Sequence, residues 1–287
     1  MSAASLTLDD WVDRAQFFDH ESHRIAYWVA GQGRPLLLIH GFPTSSWDWH
    51  KIWRVLAEGR QLIACDMLGF GLSAKPRSGY SIRRQSDIQL ALLQSLGVTG
   101  FDVLAHDYGD TVAQELLARH NEQNLGLGRM LLLNGGLFSE QHRLLPIQRL
   151  GSSPLGFIVG WLMNQQRFEA SFRQIFAKDT QPGRQELDEF WQLIAHNNGH
   201  RISHVLMHYI AERRDNRERW VGALQESTVP LKLVDGGVDP ISGKHMYEHF
   251  QKLVPDAEAI CFEDIGHYPQ TEAPERTLAE ILAFFHD

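Results

Sequence analysis

Asp107 stands where a short apolar run, residues 103–105, meets a turn flanked by the small residues Ala105 and Gly109. The stretch behind it, residues 112–119, has a helical pattern. Small residues around a strand-to-helix turn let one side chain project above a sheet, and here that side chain is a carboxylate. A carboxylate is ionised at pH 7, needs no base to activate it, and can attack an sp3 carbon bearing a leaving group. A plainer role for Asp107 is to cap the following helix, although Asp110 is the more natural helix-start carboxylate. Three more segments follow apolar runs. His40-Gly41-Phe42-Pro43, after residues 36–39, offers the Phe42 amide, together with that of Tyr108, to a developing oxyanion. Asp239, after residues 231–234, can orient a histidine and stabilise its cation. His267, in a Gly-His turn after residues 259–262, is the matching base. Asp235 falls at its strand's edge, and Asn134 carries no charge, which leaves Asp239 as the acid.

The elements that must hold these groups follow from the apolar pattern. Runs 36–39, 62–65, 103–105, 130–133, 231–234 and 259–262 are continuously apolar and alternate with helical patterns. Strands buried on both faces read this way, so an α/β fold with a mostly parallel sheet and helices on both faces is expected. Residues 15–18 and 24–29 suit an antiparallel pair turning at 19–22. Between 137 and 228 the rhythm breaks: no strand pattern occurs, and helical patterns such as 186–194 and 202–212 take over. The expected organisation is a core domain of residues 1–136 and 229–287, with a helical cap of residues 137–228. Ligands bind beyond the carboxyl ends of parallel strands, where such a cap excludes water.

Composition narrows the partners. Net charge is −8, which argues against nucleic acid, since phosphate binding needs a basic face. Cys65 and Cys261 sit in apolar runs and read as free thiols of a cytoplasmic protein. Acidic residues interrupt the first eighteen positions, and the longest apolar run, 155–163, is too short to span a bilayer. The expectation is a soluble protein, monomer or homodimer, with no cofactor, no metal and no membrane span. His196, His200, His204 and His208 recur at a spacing of four, but Asn198 and Gly199 break any helix there, and no carboxylate or cysteine completes a metal site. Asp66–Gly71 lacks the spacing of a dinucleotide loop.

The segments HGFPTSSWDW, DMLGFGLSAKP, AHDYGD and GHYP, with the Asp239-Pro240 turn, resemble the α/β-hydrolase superfamily, in its epoxide hydrolase and haloalkane dehalogenase branch. HGFPTSSWDWHKIW, AHDYGDTVAQELLAR and WVGAL are similar to the mesoderm-specific transcript protein-like hydrolases within it. The resemblance covers nearly the whole chain from Arg24 and is weakest in the cap. It implies Asp107 as nucleophile, His267 as base and Asp239 as its acid, with an alkyl ester of Asp107 as the intermediate. Dehalogenases of this branch hold halide with an indole after the nucleophile and a Trp or Asn near the HGxP loop; Tyr108 and Phe42 occupy those places here. Epoxide hydrolases use cap tyrosines on the opening oxygen, and Tyr209 is the cap's one tyrosine. The expected reaction is hydrolysis of an epoxide or similar small hydrophobic electrophile. The alternatives are a dehalogenase, an ester or lactone hydrolase, or a ligand-binding fold without turnover. His40 and Trp47 are further candidate substrate contacts near the HGFP loop.

Overall fold

The computed structural model describes residues 6–153 and 155–286. Its centre is an eight-stranded sheet: β1 (Gln16–His20), β2 (His23–Ala30), β3 (Pro35–Ile39), β4 (Gln61–Cys65), β5 (Phe101–His106), β6 (Leu127–Leu133), β7 (Leu231–Gly236) and β8 (Glu258–Phe262). The spatial order is β1-β2-β4-β3-β5-β6-β7-β8, with β1, β2 and β4 paired antiparallel and the remaining pairs parallel. The β1–β2 hairpin closes on Glu21 and Ser22, both at positive φ, the backbone a two-residue hairpin loop needs.

Alternation along the strands sorts the core into two layers. Leu37, Ile39, Val103 and Ala105 face one side, and Leu36, Leu38 and Leu104 face the other. Helices Ile82–Ser95, Tyr108–Gln123 and Lys244–Leu253 cover the first face, and Pro274–Phe285 covers the second. The chain passes from β3 to β4 on one side, then returns to β5 on the other. Strand order therefore reverses between β3 and β5, whose register pairs Ile39 with Ala105, and the HGFP loop lies beside Asp107 at that crevice.

Among the described residues, the stretch from β6 to β7 holds helices, short helical turns and loops but no strand. Its last helix, Arg217–Gln225, lies along Tyr108–Gln123, with the Trp220 indole donating to Glu115 Oε2 at 2.8 Å. The helix expected over 202–212 is two pieces, Ser203–Leu206 and Tyr209–Asp215. A tight step separates them, closed by i→i+3 bonds from His208 N to Val205 O and from Ile210 N to Met207 O. The histidine stripe is interrupted as well. Asn197 and Asn198 adopt left-handed φ of 50° and 60°, and no group of residues fit to hold a metal occurs among the described residues. No helix among them is long and apolar enough to cross a membrane, and Cys65 and Cys261 are free.

Candidate active site

The turn after β5 is the tightest piece of backbone in the site. Asp107 has φ 49° and ψ −106°, outside the regions that L-residues ordinarily occupy. A Cβ at Gly109 would stand 2.2 Å from Ile39 O and 2.7 Å from His40 O, so only glycine lets the helix approach β3 this closely. The result aims the Asp107 carboxylate across the crevice, where the Phe42 N–H donates to Oδ2 at 3.0 Å. Its other oxygen, Oδ1, lies 3.9 Å from His267 Nε2 and 3.8 Å from Arg213 Nη2.

Asp239 and His267 arrive from the ends of β7 and β8. The imidazole Nδ1 meets Asp239 Oδ2 at 2.7 Å. Asp239 is held on every side: Oδ1 accepts from Ile241 N, and Oδ2 accepts from Ser242 N, Ser242 Oγ and Asn134 Nδ2. The turn carrying His267 is tied to the helical segment between β6 and β7, its N–H donating to Ile175 O at 2.8 Å. Glu272 accepts from Gly266 N, Tyr268 N and Ala177 N, which fixes the same turn from below.

Charge follows geometry. Burial alone would raise the Asp107 carboxyl, but the charges of His267 and Arg213 outweigh it and hold it below its ordinary value. Burial also opposes ionisation of Asp239, yet the His267 charge and its hydrogen bond bring it down to about 2. For His267 burial disfavours the cation, and the Asp239 charge reverses that, raising it to about 9. Two more carboxylates, Asp110 and Asp235, are fully buried and pushed well above their usual range, first by burial and then by Asp107 and Asp239 respectively.

Asp107 and His267 open into a cavity of about 90 Å³ between the sheet and the helical segment that joins β6 to β7. Its walls are mainly apolar, with Phe42, Met163, Phe172 and Trp191 among them; Gln148, Ser171, His200 and Ser203 supply polar groups from the helical segment. The other residues singled out from sequence lie off this lining. His40 is a brace: Met67 N donates to Nε2 at 3.0 Å, so its proton sits on Nδ1, facing Gly41 O at 2.8 Å. Trp47 stacks on His50 at 4.4 Å and reaches Glu189 at 3.3 Å. Tyr209 packs edge-on against Tyr108 at 4.8 Å and tilted against Phe42 at 6.1 Å, beneath the Arg213 guanidinium.

Sequence reasoning missed Arg213 and His106, and set Asn134 aside for want of a charge. Arg213 is buried and donates to Thr111 Oγ1 at 2.6 Å and Asp107 O at 3.1 Å. His106 lies under the turn with Nε2 2.8 Å from His267 O. Nothing in the run Glu212–Arg217 marks one arginine as buried; for Asn134, its place at the end of β6 beside the acid position was a usable signal.

Comparison with known proteins agrees with this fold. The model of the alpha/beta hydrolase family matches residues 36–281. The human mesoderm-specific transcript homolog protein is 38% identical over 98% of this chain and 89% of its own length. A cis-3-alkyl-4-alkyloxetan-2-one decarboxylase of Shewanella oneidensis is 25% identical over 94% of this chain and 88% of its own. Among solved structures, the epoxide hydrolase CorEH superposes with a TM-score of 0.78 at 21% identity, covering 94% of this chain and 98% of that one, a likeness of fold. The chain belongs to the alpha/beta hydrolase family.

Proposed function

We propose that this chain hydrolyses a small hydrophobic epoxide through an ester formed on Asp107. The observation carrying this reading is the line from Asp239 through His267 to Asp107 Oδ1 at the floor of an apolar cavity. Asp107 Oδ1 attacks a ring carbon, the carbon–oxygen bond breaks, and its electrons pass to the ring oxygen, which takes the Nε2 proton of the His267 imidazolium and leaves that ring neutral. The Oδ2 atom keeps its hydrogen bond from the Phe42 amide throughout. Esterification removes the Asp107 charge, one of the charges that raise His267, so the imidazole becomes a better proton acceptor once the ester exists. His267 then takes a proton from water, the hydroxide oxygen attacks the Asp107 carbonyl carbon, and the oxyanion faces Phe42 N. Collapse breaks the carbonyl carbon's bond to the alkyl oxygen, which receives the proton from His267; the diol leaves, and the Asp107 carboxyl returns its remaining proton to His267.

A halide leaving group fits the site less well. Phe42, on the cavity wall, brings no side-chain donor, and Tyr108 is buried behind it. A second reading, a strained cyclic ester, draws on the oxetanone decarboxylase likeness, since such a ring also opens to leave an oxygen anion.

Intact mass measurement on His267→Gln, incubated with epoxides, haloalkanes and β-lactones, tests these readings together. Without its base the enzyme should stall at the ester. Ring opening adds the whole mass of the substrate, whereas displacement adds the substrate less its hydrogen halide. The expected result is a whole-epoxide increment that is absent from Asp107→Ala. An increment that persists in Asp107→Ala removes Asp107 from the role.

Tyr209→Phe separates two functions of that ring. As proton donor to the opening oxygen, its hydroxyl is worth orders of magnitude in rate; as the platform under Arg213, the ring suffices without it. The packing of Tyr209 off the cavity wall favours the platform, and single-turnover ester formation in Tyr209→Phe is expected to stay within about tenfold of wild type.

A further inference from the structure

The cap carries a surface that the chemistry above does not use. Nine large hydrophobic side chains are exposed among the described residues, and five of them, Leu150, Leu155, Phe157, Trp161 and Leu162, fall within one short stretch. Four of these lie on or beside helix Gly156–Leu162, which contains no polar side chain. Gly156, Val159 and Gly160 form its inner face: a Cβ at Gly156 would touch Gly151 O, and one at Gly160 would touch Arg201 O. At 100° per residue, Phe157, Trp161 and Leu162 then project from the outer half of the helix, and Leu155 leads into it. A helix that is apolar all round belongs in a core or a membrane boundary, and this one has a partner on one side only.

Charge points to the occupant. From Gln141 to Phe168 the chain has no acidic residue, while Arg143, Arg149 and Arg167 are all exposed, in a protein whose net charge is −8. The acids bounding the stretch are already paired, Glu140 with Arg217 at 2.5 Å and Glu169 with Arg184 at 3.2 Å. A second copy seated by two-fold symmetry would bring the same arginines toward one another. Anionic lipid would neutralise them and take the Trp161 and Phe157 rings at the level of its headgroups.

We propose that this face of the cap docks on an anionic lipid surface. The same segment also lines the cavity through Leu145, Ile147, Gln148 and Met163, so docking sets the active-site cavity against the membrane, from which an apolar substrate can enter. The proposal does not depend on the chemistry assigned to Asp107.

Co-sedimentation of the full chain with phosphatidylcholine vesicles, and with mixed phosphatidylcholine–phosphatidylglycerol vesicles, tests it. Binding is expected to the mixed vesicles and to fall as salt rises. Phe157→Ser with Trp161→Ser should weaken it at least tenfold. Arg149→Gln with Arg167→Gln should weaken it about thirtyfold at low salt, with the fold unaltered by circular dichroism, since all four side chains are exposed. Should one variant pair fail to fold, the other still decides the matter. No binding to either vesicle overturns the proposal. So does a wild-type dimer that Phe157→Ser with Trp161→Ser converts to monomer, because a second copy then covers the face.

Discussion

Arg213→Met should lower the free energy of unfolding by about 3–5 kcal/mol, read as a fall in the urea midpoint at neutral pH. Four buried carboxylates, Asp107, Asp110, Asp235 and Asp239, crowd the ends of β5 and β7. Arg213 is a buried cation that the helical segment before β7 sends into this group, 3.8 Å from Asp107 Oδ1. It also donates to the Asp107 carbonyl and the Thr111 hydroxyl, and its Nη1 lies 3.3 Å from His142 Nδ1. Burial, then the Arg213 charge, brings His142 down to about 3, so that ring is neutral and accepts. Methionine fills much of the arginine volume but leaves these acceptors without their donor, and it removes one of the charges that keep Asp107 ionised. Arg213→Lys retains the charge while losing the fork, and should recover part of the loss. A Met variant within about 0.5 kcal/mol of wild type would sink the view that this guanidinium holds the carboxylate group together.

What could be read from sequence was what repeats or what is forced. The parallel strands were visible because burial on both faces demands unbroken apolar runs such as Leu36–Leu38. The sharp turn at Asp107 was visible because Gly109 has no alternative against Ile39 O. Legibility ended where one side chain's direction depends on a neighbour far along the chain. Arg213 lies among five other charged or amide residues between Glu212 and Arg217, and it turns inward past the step at Met207–His208 to meet Thr111. The same step ends the helical pattern early, which periodicity over 202–212 could not register. Asn134 looked inert because only charge was sought there. In the fold its amide donates to Asp239 Oδ2, and its carbonyl oxygens receive Gly236 N and Ser242 Oγ, so it binds the acid turn to β6. His40 and Trp47 stood close to the site in sequence but brace the loop that forms it.

On the proposed chemistry, Asp239→Asn is expected to cut steady-state turnover by about three to four orders of magnitude, as loss of the acid does in hydrolase triads. Both carboxylate oxygens of Asp239 face donors, so the amide nitrogen of asparagine must point at an N–H or O–H wherever it is placed. The smallest adjustment is for His267 to move its proton from Nδ1 to Nε2, which takes away the lone pair that should receive a proton from water. Stability carries its own signature in pH. The folded-state value of His267 is raised from 6.5 to about 9, so its contribution is complete below pH 6.5 and is lost as pH climbs through about 9. Asp239 is lowered from 3.8 to about 2, so its contribution is complete above pH 3.8 and is lost as pH falls through about 2. The stability gap between wild type and Asp239→Asn should therefore be widest between pH 3.8 and 6.5 and narrow steadily toward pH 9. Urea titrations of both proteins at several pH values measure it. A gap that widens between pH 6.5 and 9 would show that the Asp239–His267 pair is not an ion pair in the resting enzyme.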